Sequence, residues 1–391
     1  MLHVGIKPDG ALGRLKFPMI PRLPPIVLAA ALATPASLFT AGTAVPRPSR
    51  PFDSLTLAQG GPEAPIFRFE ADEFWLNLHH FLYVLGRADA KMADAAREAV
   101  AGAPADEARG LDTLTSDQRR AWRDAVAFYA AGPSRKDLIF DGPLAAITQA
   151  LADADAAASL SGTAIDAAAI ATLERAAPIY RQAWWPAHRA SNHARQSEIQ
   201  ALVDRHGRAV LQFITRAYGM EWPAQGYPVH FSAWANWAGA YSSTTGKGNL
   251  LVVSSRDRGT AGALGLETVF HEGMHQWDSA VSALLGEQAR RIDKRTPPGL
   301  SHAMIFFTAG EAVKRVIAGH VPAADALGVW GRGFQSMKAP IEETWKPYLD
   351  GQGTRDEALA ALVARTALER RGSRGATQSC GLQCAACAES D

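Results

Sequence analysis

Cysteine is almost absent from this sequence: the three present, Cys380, Cys384 and Cys387, all lie among the last dozen of its 391 residues. The rest of the chain can therefore form neither a disulfide nor a thiolate metal site. An excess of charge of one sign is also lacking, since 40 Lys and Arg stand against 39 Asp and Glu, and we expect no nucleic-acid partner. Chemistry in the body of the protein must come from histidines, carboxylates and hydroxyls.

The three cysteines belong to a tail, residues 372–391, that we predict to be flexible. Their spacing matches an iron–sulfur motif of radical enzymes, but only four residues follow Cys387, so no fold could enclose a cluster. A small disulfide or an adventitious metal site fits such a tail better.

The N-terminus has the layout of a secretory signal. Basic residues come first, and no charged residue occurs from Leu23 to Val45. We predict cleavage after Ala44, with cleavage after Ala36 as the alternative, and the true start is either Met1 or Met19. The alternative is an uncleaved membrane anchor, and only in that case do we expect contact with a membrane. Either way the body would be exported, to the periplasm or the outside.

The rest of the chain is predicted to be α+β and predominantly helical. A Pro- and Gly-rich linker at 45–65 precedes a helical region at 66–218, a core at 219–320 and C-terminal helices at 321–371. Within the core we predict a small antiparallel sheet and two helices. The strands are expected at 229–234, 240–244 and 249–255, and the helices at 260–292 and 301–318.

The motif that carries chemistry is His271-Glu272-Gly273-Met274-His275, an HExxH pattern in an apolar helix. Histidines four apart lie one turn above each other on a helix face, so both imidazoles can reach one metal ion. Glu272 lies beside them, where it can accept a proton from water. Asp278, three residues further on, is expected to hold a ligand imidazole.

In this motif the sequence resembles the zincin metallopeptidases, over about residues 228–316. The resemblance implies a zincin-like catalytic core, with an edge strand that pairs with an extended peptide. We assign that strand to Asn249–Ser255. Gly273 departs from the family, which usually has a bulky apolar residue there.

The third metal ligand distinguishes the zincin subclasses. Metzincins are excluded, because Val281 stands where their third histidine would lie. Gluzincins use a Glu on a following helix, and the resemblance implies Glu311 for that role. Its apolar neighbours make an unpaired carboxylate costly. A salt bridge from Glu311 to Lys314 or Arg315 is the alternative.

The resemblance implies one zinc ion per chain, held by His271, His275 and Glu311, with Glu272 as general base in peptide-bond hydrolysis. Tyr241 and His302 are the candidate donors to the oxyanion. Two alternatives stay open: a non-catalytic zinc-containing binding or structural protein, and a metal hydrolase with a non-peptide substrate. Oligomeric state cannot be read from the sequence.

Two further histidines, His79 and His80, lie side by side among aromatic residues. Adjacent helical residues point about 100° apart, so both cannot easily face one metal ion. We predict that one of them is buried and hydrogen-bonded.

Overall fold

The computed structural model describes residues 64–91, 110–154, 159–235, 239–245 and 248–369. The predicted export segment, residues 45–63 of the predicted linker and the cysteine-containing tail lie outside these ranges. Among the described residues, no helix is both long enough and apolar enough to cross a bilayer.

The described chain is mostly helical with a small sheet, which confirms the α+β, predominantly helical class.

Thr115 caps the helix that starts at Ser116 through a reciprocal side-chain and backbone pair with Gln118. The helices are α1 (Phe74–Lys91), α2 (Ser116–Ala131), α3 (Gly142–Ala152), α4 (Ala167–Ala183), α5 (Trp185–Leu202), α6 (Arg208–Tyr218), α7 (Gly262–Met274), α8 (Asp278–Arg291), α9 (Leu300–Val316), α10 (Ala323–Ala326), α11 (Gln335–Leu349) and α12 (Arg355–Thr366).

The helix predicted at 260–292 is interrupted at the second histidine of the motif. Helix α7 ends at Met274, a single 3₁₀ turn covers His275–Trp277, and α8 follows. The side-chain amide of Gln276 donates to the carbonyl oxygen of Gly273, so a side chain stabilises this turn.

The main sheet is mixed, not antiparallel as predicted. Its strands are β1 (Phe67–Glu70), β2 (Tyr227–Ser232), β3 (Ala240–Thr245) and β4 (Gly248–Ser254), in the order β1-β2-β4-β3. Strands β1, β2 and β4 are parallel, and only β3 is antiparallel to its neighbour. A two-stranded ladder of β5 (Lys294–Arg295) and β6 (Leu368–Glu369) lies apart from it.

The assignment of Asn249–Ser255 to the sheet edge was therefore wrong. This segment is β4, which lies between β2 and β3, and the edge strands of the sheet are β1 and β3. The physical reason is visible in the sequence: Leu250, Leu251, Val252 and Val253 form an unbroken apolar run, and all four are fully buried. A strand that is covered on both faces has a continuous apolar sequence, whereas a half-exposed strand alternates apolar and polar residues.

The sheet separates two hydrophobic cores. Val229, Phe231, Leu251 and Val253 face a core built with α6 to α9 and α11 to α12. Tyr241, Leu250 and Val252 face a second core built with α1 to α4. Strand β1 comes from the region predicted as helical at 66–218, so this region and the core at 219–320 share one sheet.

Candidate metal centre

Helix α7 presents the two histidines of the motif to the same point. The Nε2 atoms of His271 and His275 are 3.2 Å apart, and their rings lie edge to face with centroids 4.8 Å apart. Spacing by one helical turn is what the sequence predicted, and it holds although the α-helix gives way to a 3₁₀ turn at His275.

A third imidazole, that of His302, completes the cluster. Its ring centroid lies 5.3 Å from that of His271 and 4.7 Å from that of His275. One nitrogen of each ring falls within 4.8 Å of the others, so the three histidines could hold a metal ion. Gly299, with a left-handed φ of 79°, lets the chain turn into α9 just before His302.

The structure does not bring Glu311 to these histidines. Glu311 lies nine positions after His302 on α9, which corresponds to a rise of about 13 Å along the helix. Its carboxylate instead accepts a hydrogen bond of 2.8 Å from Arg315 and lies 3.6 Å from Lys314 and 3.9 Å from Lys346. The apolar surroundings of Glu311 do require a partner, and the cation one turn along the helix supplies it.

Tyr241 is also placed away from the cluster. Successive side chains of a strand point to opposite faces, and on β3 the Tyr241 hydroxyl lies in the α1–α4 core, 2.8 Å from Nε2 of His80. Burial raises the pKa of this hydroxyl. Tyr241 therefore does not lie where an oxyanion donor is needed, and His302, the other candidate donor, lies among the possible metal ligands instead.

Glu272 points into the site from the motif helix. Its Oε2 lies 4.0 Å from Nε2 of His275 and accepts a 2.9 Å hydrogen bond from the hydroxyl of Ser242 on β3. Burial raises the pKa of this carboxyl, and the charge of His275 and the hydrogen bonds from Ser242 partly oppose the rise. A carboxylate with a raised pKa is suited to accept a proton and release it again.

Asp278 orients His275, as predicted. Its Oδ2 lies 2.7 Å from Nδ1 of His275. This carboxylate favours a proton on Nδ1, and in the neutral imidazole Nε2 is then free to bind a metal ion. Burial acts to lower the pKa of His275, but the bond to Asp278 and the charge of Glu272 outweigh it, and the net shift is upward.

The other two imidazoles are kept neutral. Burial, and then the neighbouring His275, lower the pKa of His271 well below its usual value and that of His302 to about 4. Phe306 covers them, with its ring centroid 3.8 Å from that of His271 and 4.8 Å from that of His302. Neutral, desolvated imidazoles are the form that a metal ion requires.

The three imidazoles could hold a metal ion that takes nitrogen ligands. Two ligands at about 2.0–2.1 Å from a tetrahedral zinc ion lie roughly 3.3 Å apart, and the nitrogens of His271 and His275 are 3.2 Å apart. Three imidazoles suit a transition-metal ion such as zinc, copper, iron or nickel better than magnesium or calcium, which prefer oxygen.

Two residues of the site were not assigned these positions from the sequence. His302 was predicted as an oxyanion donor, although its place near the start of the helix after the motif was visible. Ser242 was not singled out; the alternation of β3 puts it on the face opposite Tyr241, but that signal requires knowing that β3 borders α7.

Comparisons with known proteins give no relative for this chain. No family model matches it, no curated protein is detectably similar, and no solved structure matches it. The function has to be argued from the site alone.

Proposed function

We propose that this protein is a zinc-dependent hydrolase, and specifically a zincin-like metallopeptidase with Glu272 as its general base. The observation that carries the proposal is the meeting of three imidazoles within 4.8 Å, next to a buried carboxylate 4.0 Å from one of them. His271, His275 and His302 would hold the metal. This ligand set replaces the gluzincin-like set that included Glu311.

A zinc ion held there would supply a Lewis acid that activates water and polarises a carbonyl group. The chain's own residues supply the proton transfers: Glu272 accepts a proton from the attacking water and returns it to the leaving nitrogen. Asp278 keeps His275 in the tautomer that leaves Nε2 free. Phe306 excludes water from one side of the imidazoles.

The preference for a peptide substrate comes from β3. This strand pairs with β4 on one side and borders the site, since Ser242 contacts Glu272. An extended peptide could add to its other edge through main-chain hydrogen bonds, which requires no particular side chain.

Zinc content of the purified body, from Val45 onward, tests the ligand set. We expect about one zinc ion per chain in wild type and in Glu311→Gln, and loss of zinc in His302→Ala. Glu311→Gln is the matched control, because it changes a carboxylate on the same helix. Loss of zinc in Glu311→Gln with retention in His302→Ala would restore the gluzincin-like set, and a wild type without zinc would overturn the proposal.

Hydrolysis of a fluorescence-quenched peptide library tests the activity. Glu272→Gln should keep its zinc but lose at least about a hundredfold in turnover, because the base is gone while all three imidazoles remain. A zinc-loaded wild type that cleaves no peptide would favour the non-catalytic or the non-peptide alternative.

Export is the remaining part of the proposal, and it rests on the sequence of residues 1–44. Expression of the full chain with N-terminal sequencing of the released protein should give a start at Val45. A protein that stays in the membrane fraction with residues 23–45 attached would instead be anchored.

A further inference from the structure

Strand β3 connects the candidate site to the second core through two successive residues. On one face the hydroxyl of Ser242 donates to Oε2 of Glu272 at 2.9 Å. On the other face the hydroxyl of Tyr241 lies 2.8 Å from Nε2 of His80 on α1. Tyr241 and His80 are both essentially without solvent exposure, so this second contact is shielded from competing water.

The contact between Ser242 and Glu272 has a direct geometric consequence. A glutamate side chain has three rotatable bonds, and burial alone does not select one position of its carboxylate. A hydrogen bond to an ionised acceptor is stronger than a neutral one, and the Ser242 hydroxyl supplies it from an element other than the motif helix. The position of Glu272 relative to the histidines therefore depends on where β3 lies.

The sheet holds β3 from one side only, because β3 is one of its two edge strands. Its register with β4 fixes it along one side only, with Tyr241 opposite Val252 and Ser242 opposite Leu251. The bond from Tyr241 to His80 attaches it to α1, across the sheet from the motif helix. Breaking that bond would leave a buried imidazole nitrogen unsatisfied.

We propose that β3 aims the general base: Ser242 is a positioning residue for Glu272, and the Tyr241–His80 hydrogen bond holds the strand in place for it. The inference rests on the proposed function, since it assumes that Glu272 acts on a group at the three histidines. It adds a role for the buried His80, which the hydrolytic site itself does not use.

The chain contains a matched control for the anchoring bond. On the same helix, Nδ1 of His79 lies 2.9 Å from the hydroxyl of Tyr129, and this pair is as deeply buried as His80 and Tyr241. Tyr129 belongs to α2 and not to β3. Tyr241→Phe and Tyr129→Phe each remove a tyrosine hydroxyl that contacts a buried histidine. Only Tyr241→Phe removes a contact between β3 and α1.

The experiment uses the zinc-loaded body with acetohydroxamic acid as a probe. This chelator gives up its hydroxyl proton when it binds zinc. Its affinity therefore depends on whether Glu272 is placed to accept that proton, and the measurement requires no turnover. We expect Ser242→Ala to keep its zinc, to bind acetohydroxamic acid about tenfold more weakly, and to lose about tenfold in kcat with KM unchanged. Ser242→Thr keeps the hydroxyl and should restore both values.

Hydrogen exchange of the zinc-free protein tests the anchor separately. Amides of 240–245 should exchange faster in Tyr241→Phe than in wild type, and as in wild type in Tyr129→Phe, although both variants lose similar stability. Wild-type affinity and kcat in Ser242→Ala would overturn the positioning role, and equal exchange in the two tyrosine variants would overturn the anchor. A wild type that binds no zinc would instead overturn the proposed function, and this inference with it.

Discussion

At the scale of single residues, metal binding at the candidate site requires imidazoles that are neutral and that orient one nitrogen toward the centre of the cluster. His271 and His302 are kept neutral by burial. His275 differs, because a carboxylate partner fixes which of its nitrogens carries the proton. That partner, Asp278, has a side chain that is 41% exposed, so it can be altered without opening the core.

Asp278→Asn is expected to weaken zinc binding by about ten- to a hundredfold, because the amide holds Nδ1 of His275 less firmly and lowers the basicity of Nε2. Competition with a chromophoric zinc chelator measures the affinity. Glu287→Gln is the control, since Glu287 lies on the same helix and pairs with Arg291 at the surface. Equal affinity in wild type and Asp278→Asn would contradict the role of Asp278.

The sequence could predict the local half of the site and not the other half. His271, Glu272 and His275 are joined by one turn of helix, so their spacing alone places them together. The choice between Glu311 and His302 depends on how α9 lies against α7, which no spacing encodes. The carboxylate of Glu311 does require a partner in its apolar surroundings, but Arg315 supplies that partner in place of a metal ion.

At the scale of elements, Gly273 shows why the motif helix departs from the zincin pattern. A Cβ atom on Gly273 would lie 2.4 Å from the indole of Trp222. The Trp222 ring also packs edge to face on Phe67 of β1, and its Nε1 donates to the carbonyl oxygen of Ile66. The indole thus occupies the space that a bulky residue fills elsewhere, and it joins α7 to the sheet.

Gly273→Ala is accordingly expected to destabilise the protein by about 1–3 kcal/mol, because the added methyl group overpacks a fixed indole. Gly286→Ala, in the middle of α8, should be neutral or stabilising by up to about 1 kcal/mol, since the nearest atom to its Cβ is the flexible end of Arg290 at 3.5 Å. Urea unfolding measures both values. A stabilising Gly273→Ala would show that Trp222 can move aside.

The order of the strands was the other limit of sequence analysis. The three strands of the core were found within two residues of their ends, because turns and β-branched residues mark them. Strand β1, which pairs with β2, was not predicted, because it lies far from β2 in the sequence. The apolar run of β4 indicates an interior strand, whereas its position before the motif indicates the edge strand of a zincin.

At the scale of the whole molecule, a metal ion at the three histidines would join α7 to α9. Because the unfolded chain does not hold these ligands together, binding should stabilise the fold by about 2.7 kcal/mol at a free zinc concentration a hundred times the Kd. Thermal unfolding should therefore shift upward by several degrees with zinc and not with magnesium. His302→Ala should show no shift, and a shift equal to that of wild type would contradict His302 as a ligand.

Acid should destabilise the zinc-free protein, because buried histidines must stay neutral. Burial lowers the pKa of His79 to about 4, whereas an unfolded histidine titrates near pH 6.5. The contribution of His79 is thus complete above pH 6.5 and is lost as the pH falls toward 4, by about 3 kcal/mol in total. Below pH 6.5 the unfolded chain takes up a proton that the folded chain cannot.

Urea unfolding between pH 7 and pH 4 checks this expectation. The free energy of unfolding should fall more steeply with decreasing pH in wild type than in His79→Gln, which keeps a polar group for Tyr129 and Thr148. His193→Gln, at a side chain that is 45% exposed, controls for the loss of one histidine. Parallel curves for wild type and His79→Gln would show that His79 does not resist protonation.

Because β1 pairs with β2, which lies much later in the chain, β1 can join the sheet only after that later segment has been synthesised. Phe67 pairs with Tyr227, about 160 positions later in the chain, and translation proceeds at roughly 5–20 residues per second. The first strand of the sheet, with its apolar Phe67 and Phe69, must therefore wait on the order of ten to thirty seconds for its partner to leave the ribosome. Throughout that interval the aromatic side chains of this strand have no sheet partner, and an unpaired apolar strand of this kind is prone to aggregation in a nascent chain.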